Sequence, residues 1–263
     1  MSEAVMSELG TSELGPSEFG TSDPVFLLIH GSAHGAWCWR DLIPALAARG
    51  ATAHAMDLPS HGDDPTPYTE VTLDLYRDAI LQKIGEIGTP VILVGHSAGG
   101  YAITAAAEAA PERIAQLIYV CAYVPENGKS LGDMRRSASA HPVLAAIAKT
   151  PDGKAFTFRA DTVEATLFHD CPAQAVAYAL PRLGPQAIRP QETPLTITAR
   201  STTLPRDYVL CTDDRTIPRE EQEKMVKDWP EDHVHRLMSG HSPYFSHPDS
   251  LADLLIKAVR KDG

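Results

Sequence analysis

The sequence predicts an α/β protein: a mostly parallel sheet with helices on both faces, interrupted once by a helical cap. Three observations carry this reading. Short, unbroken apolar runs recur along the chain, as strands buried on both faces require. Helix-length stretches separate the early runs. Late in the chain, one connection is far longer than the ~30 residues of an ordinary strand–helix–strand unit.

The elements follow in order. Residues 6 to 20 repeat a pentapeptide, MSELG-TSELG-PSEFG, and the segment to Asp23 holds five acids and no base. Glycine at every fifth position breaks helix and strand alike, so residues 1–23 read as a mobile acidic tail. Strands are expected at Val25–His30, Ala51–Met56, Val91–Val94 and Ile114–Val120, with helices at Trp39–Arg49, Leu73–Ile87 and Ala98–Ala110. The 84 residues from Tyr123 to Arg206 then hold many prolines and two amphipathic pieces, Leu144–Lys149 and Ala173–Leu183. They read as a cap (residues 123–206) over the ends of the strands, where α/β folds place their ligands. Strands resume at Tyr208–Cys211 and His233–Met238, and a last helix is expected over Asp249–Arg260. The core is therefore residues 24–122 and 207–263.

Composition narrows the function. Hydrophobic residues make up 43% and charged ones 22%, enough to bury a core. With 34 acids against 23 bases the net charge is −11, which argues against a nucleic-acid partner. No apolar run approaches the ~20 residues of a membrane span, and no secretory signal opens the chain. Cys38, Cys121, Cys171 and Cys211 stand far apart without a C-x-x-C pair, so they read as free thiols rather than a zinc site or disulfide framework. A cytoplasmic enzyme without metal or cofactor is the expectation.

The sharpest motif is Gly95-His96-Ser97-Ala98-Gly99, a G-x-S-x-G between an apolar strand and an alanine-rich helix. So tight a strand-to-helix turn lifts the serine hydroxyl above the sheet, which marks Ser97 as a nucleophile. A serine needs a base to take its proton and an acid to orient that base, in the chain order Ser, Asp or Glu, His. The strand at Tyr208–Cys211 ends in Asp213-Asp214, and the strand at His233–Met238 ends in Ser239-Gly240-His241. His241 is thus the leading base and His247 the second choice. Asp213 and Asp214 both qualify as the acid, with Glu126 a remote alternative and Asp57 a structural residue. His233 and His235 share a strand face with no third ligand in sight, which favours a partly exposed face over a metal site.

These residues resemble the α/β-hydrolase superfamily, and within it the plant methylesterase and hydroxynitrile lyase group with its bacterial esterase relatives. The likeness rests on His30-Gly31-Ser32-Ala33-His34-Gly35-Ala36-Trp37, Asp57-Leu58, Gly95–Gly100, Cys211–Pro218 and Gly240-His241-Ser242. The resemblance implies Asp214 as the acid, and an oxyanion hole made by the backbone amides of Ser32 and Ala98. It implies a carboxylic ester hydrolase that works through an acyl-enzyme. The group's lyases carry a Lys directly after the catalytic His, a Thr where this chain has Gly31, and an acid where it has His96. Here the first position is Ser242, so hydrolysis is expected over cyanohydrin cleavage. Receptors that sense a ligand on this fold with little turnover are the other alternative. Tyr123, Phe156, Phe158, Leu167 and Phe168 are expected to shape an apolar substrate pocket. The acidic surface points to a small neutral ester.

Overall fold

The computed structural model describes residues 23–140 and 142–259. All of the acidic tail but Asp23 lies outside the described residues, as does Arg260. The first half of the core runs β1 (Val25–Ile29), α1 (Leu42–Ala47), β2 (Thr52–Met56), α2 (Leu73–Ile87), β3 (Val91–His96), α3 (Gly99–Ala109) and β4 (Ile114–Val120). The cap follows as α4 (Leu131–Ser137), α5 (Pro142–Ala145), β5 (Ile147–Lys149), β6 (Ala155–Phe158), α6 (Val163–Leu167), α7 (Ala173–Ala179), β7 (Gln186–Ala187) and α8 (Ala199–Thr202). The core resumes with β8 (Arg206–Cys211), α9 (Arg219–Met225), β9 (Val234–Leu237), α10 (Pro243–Ser246) and α11 (Pro248–Val259).

Among the described residues the central sheet has six strands in the order β2-β1-β3-β4-β8-β9, all parallel. Alternation along each strand splits the core into two layers. Phe26 and Leu28 of β1, with Ile92 and Val94 of β3, pack with Trp39, Leu46, Leu251 and Leu255 on one face. Leu27, Ile29, Val91 and Leu93 pack with Tyr76, Ile80, Ile103 and Ala106 on the other. Both faces are covered, which is why the strands read as unbroken apolar runs. No helix among the described residues is long and apolar enough to cross a membrane.

Helix α2 spans the residues expected for it; the Thr72 hydroxyl caps it by accepting from the Leu75 amide at 3.0 Å. The expected helix at Trp39–Arg49 divides into a 3-10 turn, Ala36–Arg40, and the short α1. Pro44 has no N–H to give to the preceding turn, so one continuous helix cannot form there. The cap departs further. Besides short helices it holds a three-stranded antiparallel sheet, β5-β6-β7. The amphipathic piece Leu144–Lys149 is therefore half helix end and half β5. A turn at Pro151-Asp152-Gly153, with Gly153 at φ +68°, folds β5 back on β6. Of the pair His233 and His235, the first is partly exposed as expected and the second is not. His235 is buried and its Nε2 lies 2.7 Å from Asp207 Oδ1, while His233 Nδ1 lies 2.9 Å from the Arg206 carbonyl.

Two glycines in helices face opposite surroundings. A Cβ on Gly100, in the first turn of α3, would overlap the Tyr123 carbonyl oxygen; one on Gly85, on the exposed side of α2, would meet open space. Gly100→Ala should destabilise the protein by about 3 kcal/mol or prevent folding, while Gly85→Ala should stabilise it by about 0.5–1 kcal/mol through helix propensity alone. Urea unfolding of both variants reads the opposite signs directly.

Candidate active site

Ser97 follows β3 and precedes α3 with φ +53°, a left-handed conformation that an L-residue holds only under constraint. The constraint comes from both sides. The Ser97 amide donates to the Val120 carbonyl at 3.2 Å, and its own carbonyl accepts from the Tyr123 amide at 3.1 Å. A Cβ on Gly99 would lie 2.8 Å from the His30 carbonyl oxygen, and one on Gly31 would lie 2.8 Å from the Ser97 Cβ. The loop after β1 thus rests directly on the elbow, and Ser32 and Ala98 line one pocket beside it.

The structure brings together Ser97, His241 and Asp214. His241 Nδ1 lies 2.7 Å from Asp214 Oδ2, and His241 Nε2 lies 3.1 Å from Ser97 Oγ. A carboxylate only accepts, so Nδ1 carries the proton and Nε2 offers its lone pair to the serine hydroxyl. Asp214 is buried, and its Oδ1 accepts from the amides of Thr216 at 2.7 Å and Ile217 at 2.9 Å. Gln222 Nε2 donates to its Oδ2 at 3.2 Å. These bonds replace the water that a buried carboxylate loses. Asp213 instead is exposed and lies 3.0 Å from His169 Nε2. Glu126 is exposed and pairs with Lys129, and His247 pairs with the Ser246 hydroxyl, so neither joins Ser97. Asp57 accepts from the amides of Ala36 and Asp63 and holds loops together.

Two groups steady the histidine. His96 Nε2 donates to the His241 carbonyl at 2.8 Å. From the cap, Asp170 Oδ2 accepts from the Gly240 amide at 2.7 Å, while the adjacent His169 holds Asp213. Among the described residues, His96, Cys121 and His241 are the one group whose ligand atoms, within 4.8 Å of one another, could hold a metal. The His241 nitrogens already engage Asp214 and Ser97, His96 Nε2 is bonded to a carbonyl, and burial pushes the Cys121 thiol up, away from the thiolate a metal binds.

A cleft of about 360 Å³ opens on Ser97 and His241 beneath the cap. Ser32 reaches it, and so do four of the expected pocket residues, Tyr123, Phe156, Phe158 and Leu167. Phe168 does not line it. Its side chain is buried in the core just past the end of α6, with its ring 5.9 Å from that of His34 and 6.3 Å from that of Phe245. His34, Arg135, Val143 and Thr216 also line the cleft and were not expected from sequence. His34 lies in the His30–Trp37 motif, which could have flagged it. Ser32 Oγ accepts from Gln191 Nε2 at 2.8 Å, and that glutamine is in turn 3.2 Å from Arg135 Nη1.

A serine, an aspartate and a histidine in that chain order, at the ends of parallel strands under an inserted cap, agree with the comparison to known families: residues 26–254 match the model described as Alpha/beta hydrolase family. The chain belongs to the α/β hydrolase family. Esterase PIR7B of Oryza sativa subsp. japonica is 30% identical over 257 residues, covering 90% of this chain and 96% of that protein. Methylesterase 17 of Arabidopsis thaliana is 29% identical over 258 residues, covering 90% and 91%. Among solved structures, a pyrethroid hydrolase from Sphingobium faniae JZ-2 is similar with a TM-score of 0.82 and 26% identity, covering 91% of this chain and 99% of that one.

Around the site, this α/β hydrolase buries four histidines whose pKa values fall below the ordinary one. Burial is the main cause for His30, His61 and His96, the nearby His241 adding to it for His96; burial likewise brings His34 down to about 4. Folding disfavours the protonated form of all four, whereas the unfolded chain takes up protons near pH ~6.5. The unfolded state therefore binds more protons as the pH falls, so their contribution is fully present above about pH 6.5 and lost progressively below it. Stability should drop by up to about 1.4 kcal/mol per pH unit for each histidine between pH 6.5 and 5. Urea unfolding at stepped pH checks this; a flat profile across that window would contradict it.

Proposed function

We propose that this ester hydrolase of the α/β hydrolase family cleaves small carboxylic esters through an acyl-enzyme on Ser97. His241 Nε2 takes the hydroxyl proton as Ser97 Oγ attacks the ester carbonyl. Asp214 holds the productive tautomer and stabilises the imidazolium. The amides of Ser32 and Ala98 take the charge on the tetrahedral oxygen, where losing one donor costs about 2.7–4 kcal/mol. The imidazolium then protonates the leaving alcohol, and water repeats the cycle to free the acid. The C–O bond to the alcohol breaks, a C–O bond to Ser97 forms, and hydrolysis restores the serine. No step calls on a metal or organic cofactor.

The observation that carries this reading is the unbroken line from Asp214 through His241 to Ser97, at 2.7 and 3.1 Å, opening into a cleft beneath the cap. Ser242, after the proposed base, is fully buried and its hydroxyl lies 3.2 Å from that of Tyr244, so no cation follows the histidine to hold a departing cyanide. A cytoplasmic location belongs to the same reading, supported by four cysteines that stand as free thiols.

With 4-nitrophenyl acetate as substrate, Ser97→Ala should lower turnover by about 10⁶-fold while leaving the urea midpoint near that of the parent. Asp214→Asn should lower it about 10⁴-fold through the wrong histidine tautomer, and Asp213→Asn should have a mild effect. Reversed magnitudes for the two aspartates would overturn the assignment of the acid, and sustained many-turnover hydrolysis by the parent excludes a mere sensor. Mandelonitrile, followed by benzaldehyde release at low pH, should be cleaved negligibly by the same preparation; lyase turnover equal to ester turnover would overturn hydrolysis as the main chemistry.

A further inference from the structure

The wall of the Ser97 cleft includes one arginine, Arg135, from α4. Its neighbour Arg136 shows what arginines ordinarily do in this acidic chain: it pairs with Asp133 at 2.7 Å and Glu192 at 2.9 Å on the outer side of the cap. Successive helix residues point about 100° apart, and Arg135 turns inward instead. Its Nη1 donates to the neutral Gln191 Oε1 at 3.2 Å, and its buried Nε has no hydrogen-bond partner. The Tyr123 ring centroid is 5.8 Å from the guanidinium carbon. Among the described residues, no carboxylate pairs with this guanidinium within 4.0 Å.

Two acids that share a cavity wall with Arg135 have partners of their own. Arg135 also borders a neighbouring cavity of about 530 Å³, reached by Glu126 and Glu221. Glu126 pairs with Lys129 at 2.6 Å, and Glu221 Oε1 accepts from the Ser139 amide at 2.9 Å and hydroxyl at 2.6 Å. A partly buried guanidinium with an unpartnered N–H is expensive unless a ligand completes it. Its planar fork of donors matches the paired oxygens of a carboxylate.

We infer that Arg135 anchors a free carboxylate carried by the ester, so that the preferred substrate is a half-ester: one carboxyl esterified and set at Ser97, the other anionic and held by the guanidinium. The inference rests on ester hydrolysis at Ser97. It revises the expectation of a neutral substrate, which came from the net charge. That charge acts over the surface and is screened within about 8 Å at physiological salt, whereas inside the cleft the nearest charge decides. Gln191 links the anchor to Ser32, so a seated carboxylate also braces the loop that supplies a proposed oxyanion amide.

The test compares monomethyl esters of linear dicarboxylic acids, from succinate to suberate, with methyl esters of the chain-matched monocarboxylic acids. At one chain length the half-ester should lead by at least tenfold in kcat/KM. Arg135→Gln should reduce that ratio at least tenfold, and Arg135→Lys should retain part of it. The ratio removes any disturbance of the Ser32 loop, which both esters need. A parent enzyme that prefers the neutral ester at every length, or a ratio unchanged in Arg135→Gln, overturns the inference while leaving ester hydrolysis standing. A second arm needs no turnover: calorimetric binding of glutarate and adipate to Ser97→Ala protein should weaken at least tenfold when Arg135→Gln is added. Equal affinity overturns the anchor. Loss of affinity supports it even if neither ester series is hydrolysed, an outcome that would sink the esterase reading alone.

Discussion

Ser97 holds a backbone conformation that serine does not choose, at φ +53°, and much of the surrounding structure exists to keep it there. Hydrogen bonds from the ends of β4 and the start of the cap tie its amide and carbonyl. Gly99 and Gly100 have no side chain because the His30 and Tyr123 carbonyls occupy that space. The elbow is over-determined from three directions, so the hydroxyl is set before any substrate arrives. That rigidity is what pre-organised catalysis needs, since a group that must first be ordered loses the advantage of being nearby.

The polar network behind the serine follows the same logic. Asp214 is buried, yet each of its oxygens finds donors, two of them backbone amides that cannot swing away. The His241 carbonyl is held by His96, itself part of the elbow, so Ser97 and His241 share one frame. The buried neutral histidines are the counterpart: they fill polar positions near the site without adding charge, at the expense of tolerance to acid.

The core was legible in the sequence because its strands are buried on both faces and its helices are long enough for periodicity to speak, as α2 illustrates from Leu73 to Ile87. The elbow, the histidine loop and the paired aspartates were legible as motifs at strand ends. Choosing Asp214 over Asp213 took a family resemblance; the geometry separates them by burial, one facing His241 and the other His169. The cap was less readable. Its elements are two to seven residues long, too short for a period of 3.6 to be told from a period of 2. Phe168 and Leu167 are neighbours in sequence and share one buried cluster, yet Leu167 alone of the two also lines the cleft, and nothing local in the chain says which will. Arg135 and Arg136 pose the same problem, and only the fold distinguishes the solvated one from the one in the cleft.

His169 and Asp170 are consecutive residues of the cap, and each grips a different loop of the core, one beside Asp214 and the other beside His241. Specificity in such enzymes is commonly imagined as a property of an exchangeable lid on an invariant engine. In this protein that separation fails at two adjacent positions. A cap grafted from a relative would bring a new pocket wall, but it would also replace the contacts that steady the Asp214 and His241 loops. Lid and engine are therefore heritable only as a matched pair, and recombination between them is confined to breakpoints that carry this dipeptide along with the loops it holds.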